Sequence, residues 1–260
     1  MRQEVGGWVI ECEDSIYMYF EDYIRGMIGV MGMRSPRGRL VISVSTPVMG
    51  STHVLINTEQ LSRPHYQSLV SRCLGMGMLV IDYSLENIRI MGDHPNHLWF
   101  PHPFEVMRVC TDTIRTKTVC MIGATRSIRR TRIYDALVGH GIEGVWGWGD
   151  ERDRCIMDFR VVVNVHFDDD YVVHEHLRCD RCVMNGLIVV CEDGIHNDLV
   201  PFGHHMLLTP YAEIVATVAD VLGRYDEYKE RLLPVCPECI RRVRGAHDHV
   251  LDCLERASAV

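Results

Sequence analysis

The feature that most constrains this chain is an alternation: short runs of β-branched and aliphatic residues recur between segments that read as helices. In the first half the runs at 8–12, 40–44, 54–57 and 79–82 read as buried strands, each followed by polar or capping residues. Between them lie helical stretches at 14–28, 64–74 and 84–91, with Asp14, Ser62 and Ser84 suited to N-cap positions. A strand-like stretch at 98–100 runs into Pro101-His102-Pro103, where proline cannot donate to a ladder, so the crossover is expected there, with residues 110–116 leading on. The second half repeats the rhythm: strand 118–122, a small-residue turn Gly123-Ala124-Thr125, and helix 127–137 stopping near Gly139 and Gly141. Strand 143–146, helix 150–157, strand 160–166, helix 171–185, strand 187–191 and helices 210–225 and 226–244 come next. A βαβ rhythm in both halves predicts an α/β fold of two Rossmann-like halves facing a cleft, residues 1–108 and residues 109–260 with a helical tail.

Composition narrows what such a fold can do. With 260 residues, 47% hydrophobic and 24% charged, the chain has the makings of a globular core, and disorder is a poor reading. The formal charge, 27 − 35 = −8, lacks the positive field of a protein that lives on nucleic acid. A phosphate-bearing ligand must therefore be held by local groups. Lysine occurs only at Lys117 and Lys229, leaving 25 arginines. The start is acidic and has no long apolar core, and the eleven cysteines suit a reducing compartment, so free thiols and a cytoplasmic location are expected. No run approaches the roughly 18 apolar residues of a membrane span.

In open parallel sheets ligands bind beyond the carboxyl ends of the strands, where loops and helix N-termini offer unpaired N–H groups. The positions to watch are Thr58-Glu59-Gln60, Asp82-Tyr83-Ser84 and His102 in the first half. In the second they are Gly123-Ala124-Thr125, Gly147-Trp148-Gly149, Asn164 to Phe167, and Glu192. Within the segment 160–193 the expected helix carries Glu175 and Arg178, one turn apart on one face. A carboxylate accepts two hydrogen bonds from the vicinal hydroxyls of a ribose, and a guanidinium forks onto a phosphate. The plain alternative is an intrahelical ion pair on a solvated face.

A strand, an acidic turn, a helix with E-x-x-R and a hydrophobic strand closing on Glu resembles the donor-binding half of GT-B glycosyltransferases. VLINTEQLSR (54–63), LVIDYSLENI (79–88), MIGATRSIRR (121–130), GWGDERD (147–153) and NVHFDDDYVVHEHLRCDR (164–181) are similar, in the same order, to blocks of short GT-B enzymes. Those are the single-chain glycosyltransferases of large DNA viruses and the bacterial group 1 or spore-maturation-type (CgeB-like) enzymes. The resemblance implies a nucleotide-sugar donor and a hydroxyl acceptor on a glycan or glycoprotein, and, for a viral chain, the host cytoplasm. It implies Glu175 on the nucleotide ribose, Arg178 approaching the diphosphate, and Gly123 and Arg130 in the turn and helix below the phosphates. Asn164, His166 and Tyr171 are expected in the same donor site, and Trp148, between two glycines, is a candidate to stack on the base. The spacing departs from retaining enzymes, with Val183 eight residues after Glu175 and Arg181 three after Arg178, so inversion and retention both stay open.

An inverting transfer needs a carboxylate to take the acceptor's proton, and Glu59 and Asp82 at strand ends of the first half are the candidates, Glu59 ahead. Asp82 and Ser84 are alternatively caps of the following helix. Arginines and helix N-termini suffice for the diphosphate charge, so no metal or other cofactor is expected in the reaction. A competing signal is soft-metal chemistry: CPEC (236–239) with His247, His249 and Cys253, and a second set of His174, His176, Cys179 and Cys182. The rival function is thus a non-catalytic, zinc-stabilised binding module with a degenerate nucleotide cleft.

Overall fold

Near-continuous apolar runs make strands that are buried on both faces, and two separate sheets are built from them. The computed structural model describes residues 2–5, 8–32, 40–47, 53–103, 115–123, 127–145 and 154–258. The chain divides into two compact units, residues 1–106 with 241–260, and residues 107–240. Residues from 241 onward thus count with the first unit, where the sequence led us to expect them in the second.

In the first unit, β1 (Arg2–Val5) pairs antiparallel with β2 (Trp8–Glu11). From β2 onward, β3 (Leu40–Val44), β4 (Val54–Asn57), β5 (Leu79–Asp82) and β6 (His97–Trp99) are added in parallel and in sequence order. The connections hold α1 (Asp14–Met31), α2 (Pro64–Gly75) and α3 (Leu85–Ile90). Val70, Cys73 and Leu74 of α2 pack with Leu55 and Val80 of the sheet. Helix starts differ from expectation: Glu13 and Arg63, not Asp14 and Ser62, occupy the N-cap positions of α1 and α2, and α2 opens on Pro64, whose fixed φ suits a first turn. Ser84 is a true cap of α3, its Oγ accepting from the Asn87 N–H at 3.2 Å.

The carboxyl edge of this sheet is organised by Asp82, which is fully buried. One oxygen accepts from the Ser84 N–H at 2.9 Å and Asn87 Nδ2 at 3.0 Å; the other takes Asn57 Nδ2 at 2.7 Å and faces His97 Nε2 at 3.0 Å. Asn57 and Asn87 in turn both donate to the Glu59 carbonyl, so one carboxylate ties β4, β5, β6 and α3 together.

The second unit holds a five-stranded parallel sheet in the order β8-β7-β9-β10-β11, reading from one edge. Its strands are β7 (Lys117–Ile122), β8 (Ile142–Val145), β9 (Phe159–Asn164), β10 (Ile188–Glu192) and β11 (Leu207–Thr209). The helices are α4 (Ile128–Leu137), α5 (His176–Met184), α6 (Ile214–Gly223) and α7 (Tyr225–Leu232), and α8 (Pro237–Ala257) starts here. Val119, Met121, Val161, Val163, Ile188 and Val190 of the central strands form one core with Ile133, Leu137, Ile214, Val218 and Val221 of α4 and α6.

Two expected helices are corrected. The one placed at 171–185 begins only at His176, because residues 171–175 instead cross Gly194: the Val172 carbonyl accepts from the Ile195 N–H at 2.9 Å. The one placed at 226–244 is divided into α7 and α8 around Pro234, which has no N–H to continue the ladder. No helix among the described residues is long and apolar enough to cross a membrane.

Because Asp82 accepts from donors on both oxygens, Asp82→Asn turns an amide NH₂ toward Asn57 or toward Ser84 and Asn87. We expect a loss of about 2–3 kcal/mol of stability, read as a lower urea midpoint at an unchanged slope. An unchanged midpoint would show that the network re-forms around an amide.

Candidate functional site

Strand order reverses once in the second sheet: the chain leaves β7 toward β8 at one edge and returns to β9 on the other side of β7. At such a switch point the loops after the two strands part and open a crevice. The first sheet keeps sequence order throughout and has no such point. The segments just beyond β7, β9 and β10 are therefore where a ligand site is to be sought.

After β7 comes Gly123 at φ +125°, and a Cβ there would lie 2.7 Å from Arg130 Nη1. Arg130 sits in the first turn of α4, capped by Ser127, whose Oγ accepts from the Arg130 N–H at 3.2 Å and donates to the Phe167 carbonyl at 2.5 Å. The Arg130 side chain is 3% exposed and donates from Nε to the Val165 carbonyl at 2.7 Å. Burial, and then the charge of Arg178, lower its guanidinium to about 10.

Glu175 occupies the N-cap position of α5, and Arg178 lies in the first turn. The i,i+3 pair expected within a helix is thus formed at a helix start, with Arg178 Nη2 3.5 Å from Glu175 Oε2. Arg130 Nη2 stands 4.0 Å from Glu175 Oε1, and Arg178 Nη1 donates to Asn164 Oδ1 at 3.2 Å. Burial pushes the Glu175 carboxyl up, but Arg178, Arg130 and His166 outweigh it, and the group ends below its ordinary value. Two guanidiniums around one carboxylate leave a positive excess. Glu175 and Arg178 are each about a fifth exposed, at 20% and 18%, so they can touch a ligand, whereas Arg130 acts from beneath.

His166 donates its backbone N–H to Glu192 Oε2 at 2.9 Å, and its ring Nε2 pairs with the Asp193 carbonyl at 3.0 Å. Asn164 is fully buried and donates to Cys191 Sγ at 3.3 Å. Tyr171 is half-buried, edge-on to Phe167 with centroids 5.9 Å apart. Trp148 lies outside the described residues. Sequence reasoning missed Arg129, which pairs with Glu192 and Asp169 and lies over the Tyr211 ring at 4.2 Å. Its one signal was adjacency to Arg130 on α4. In the first unit, Asp82 is enclosed by its four partners, and Glu59 is half-buried, its main chain held by Asn57 and Asn87.

The two clusters that gave the competing metal signal are regrouped. His247 Nε2 pairs with the Pro101 carbonyl at 2.9 Å and its ring packs on Phe100 at 4.4 Å, while His249 lies 3.9 Å from Cys253. Neither joins Cys236 and Cys239. In the other set Cys182 turns to the Arg178 carbonyl, and His174 instead approaches Cys191 at 3.5 Å and Asp180 at 3.8 Å.

No protein-family model matches the chain. Among curated relatives it is 31% identical over 191 residues to uncharacterized protein L140 of Acanthamoeba polyphaga mimivirus, covering 69% of this chain and 62% of that protein. Uncharacterized protein L137 of the same virus is 29% identical over 191 residues, covering 69% of this chain and 26% of that protein. The chain spans less than two thirds of either relative's length. The structure of T4 phage BGT in complex with UDP and Mn2+ superposes with a TM-score of 0.54 at 12% identity, covering 92% of this chain and 93% of that one. The fold is GT-B-like. That likeness belongs to the architecture, an α/β chain with two mainly parallel sheets.

Since a Cβ at Gly123 meets the Arg130 guanidinium and φ there is positive, Gly123→Ala should cost about 1–3 kcal/mol in chemical denaturation. An unchanged midpoint would mean that Arg130 moves aside freely.

Proposed function

We propose that the chain is a glycosyltransferase that moves a sugar from a nucleotide-sugar donor to a hydroxyl acceptor, on a glycan or glycoprotein. The observation that carries this reading is the Arg130–Glu175–Arg178 group at the carboxyl ends of β7 and β9, where the strand order reverses. Glu175 is held ionised and partly exposed, which suits acceptance from two ribose hydroxyls. Arg178, oriented by Asn164, offers a fork to the diphosphate, and Arg130 adds a fixed positive field from below. Gly123, His166 and Tyr171 line the same site, and Trp148 is assigned to the base.

In the reaction the acceptor oxygen attacks the anomeric carbon as the bond to the diphosphate breaks. The growing negative charge on the leaving group is met by Arg178 and Arg130, which lowers the barrier most where the site is driest. This reading uses no metal ion. Of the two first-unit carboxylates, Asp82 already accepts from donors on both oxygens, so the reading gives the acceptor's proton to Glu59 if transfer inverts.

Glu175→Ala should weaken binding of a nucleoside diphosphate about 10- to 100-fold by titration calorimetry in a protein that still folds. Arg178→Lys should also weaken it, because an ammonium cannot fork onto two phosphate oxygens. Wild-type affinity in both folded variants would sink the assignment. For the chemistry, Glu59→Gln should lower kcat by about 10²–10⁴ while donor affinity stays unchanged. Normal turnover in that variant would remove Glu59 and favour a retaining reaction.

A further inference from the structure

Away from the nucleotide site, the start of α8 brings two neighbouring cysteines together with a histidine 31 residues earlier in the sequence. Cys236 and Cys239 of the CPEC segment place their sulfurs 3.3 Å from each other, and His205 belongs to the turn before β11. His205 Nδ1 donates to the Leu232 carbonyl at 2.7 Å, which fixes the tautomer and turns the Nε2 lone pair toward Cys236, whose backbone N–H it accepts at 3.2 Å. A ring nitrogen of His205 and the two Sγ atoms all lie within 4.8 Å of one another. We propose that His205, Cys236 and Cys239 form a zinc-binding site that ties the first turn of α8 to the segment at 201–205.

Three features favour a metal over a plain hydrogen-bonded cluster. The donor set is two thiols and an imidazole, the soft combination that selects zinc among the common divalent ions. Sulfurs bound to one tetrahedral zinc stand about 3.8 Å apart, given Zn–S near 2.3 Å, so a shift of about half an ångström makes the pair a chelate. A histidine that ligates a metal almost always hands its other ring N–H to a carbonyl or carboxylate, as His205 does here. A cation would take the place of the Cys236 N–H at Nε2.

Cys236 is only half-buried, which gives an ion a way in and leaves one tetrahedral position for water. The rival group of His174, Cys179 and Cys191 is wholly buried, and His174 there already faces the Asp180 carboxylate. The zinc site stands independently of the nucleotide reading.

The full chain, reduced and stripped with a chelator, should bind one Co2+ per chain with a thiolate-to-cobalt charge-transfer band, and Zn2+ should bleach that band. Cys236→Ser combined with Cys239→Ser should abolish the band, and His205→Ala should weaken Co2+ binding at least about tenfold. Cys191→Ser should leave it intact. A wild-type chain without the band overturns the proposal whether or not the variants fold, as does a band that survives the double substitution and vanishes in Cys191→Ser. A Cys236–Cys239 disulfide that re-forms in air after the chain has been reduced and stripped, and that blocks Co2+, would overturn the proposal and assign the pair to thiol chemistry instead.

Discussion

A buried guanidinium governs the second unit. An arginine that is 3% exposed cannot be left without partners, because an uncompensated charge in a protein interior costs several kcal/mol. Arg130 meets that requirement with the Val165 carbonyl on one side and the Glu175 carboxylate on the other, and it lies against Gly123. Each partner comes from a different segment, so satisfying one charge fixes three loops. The group exposed on top, Glu175 with Arg178, inherits its position from that buried support.

Much of this architecture was legible because the signal is local. The ranges of β3, β4 and β5 coincide with the apolar runs, since a stretch such as VLIN has no other way to bury itself. The Glu175–Arg178 spacing was legible for the same reason: three residues apart in sequence, they meet whether the turn is inside a helix or at its start. What could not be read were pairings between distant segments. Residues 171–175 have the composition of a first helical turn, yet Gly194, which has no Cβ to keep the Val172 carbonyl away, draws them into a loop crossing. Arg129 with Glu192, and His205 with Cys236, are separated by 63 and 31 residues and leave no periodic trace.

The two sheets also differ in how the acids at their carboxyl edges are partnered. In the first, a carboxylate at the end of β5 is consumed by its neighbours: Asn57, Ser84, Asn87 and His97 surround Asp82 and lock loops together. In the second, the carboxylate at Glu175 is kept charged by arginines and remains partly open. Asp82 ends a strand and Glu175 starts a helix beyond one, and the neighbours decide whether an acid is closed off or left partly open.

Helix α8 has a consequence for how the protein is made. Its residues from 241 onward, including the buried Val243, Val250, Leu251 and Leu254 and the histidine on Phe100, count with the first unit, although the whole second unit precedes them in the sequence. Burying each such aliphatic side chain contributes about 1.5–3 kcal/mol, a large share of the marginal stability of a small domain. The first unit is therefore discontinuous in sequence and completes its core only after the second has been synthesised, whereas the second is continuous over residues 107–240. Order of synthesis and order of completion run in opposite directions along this chain.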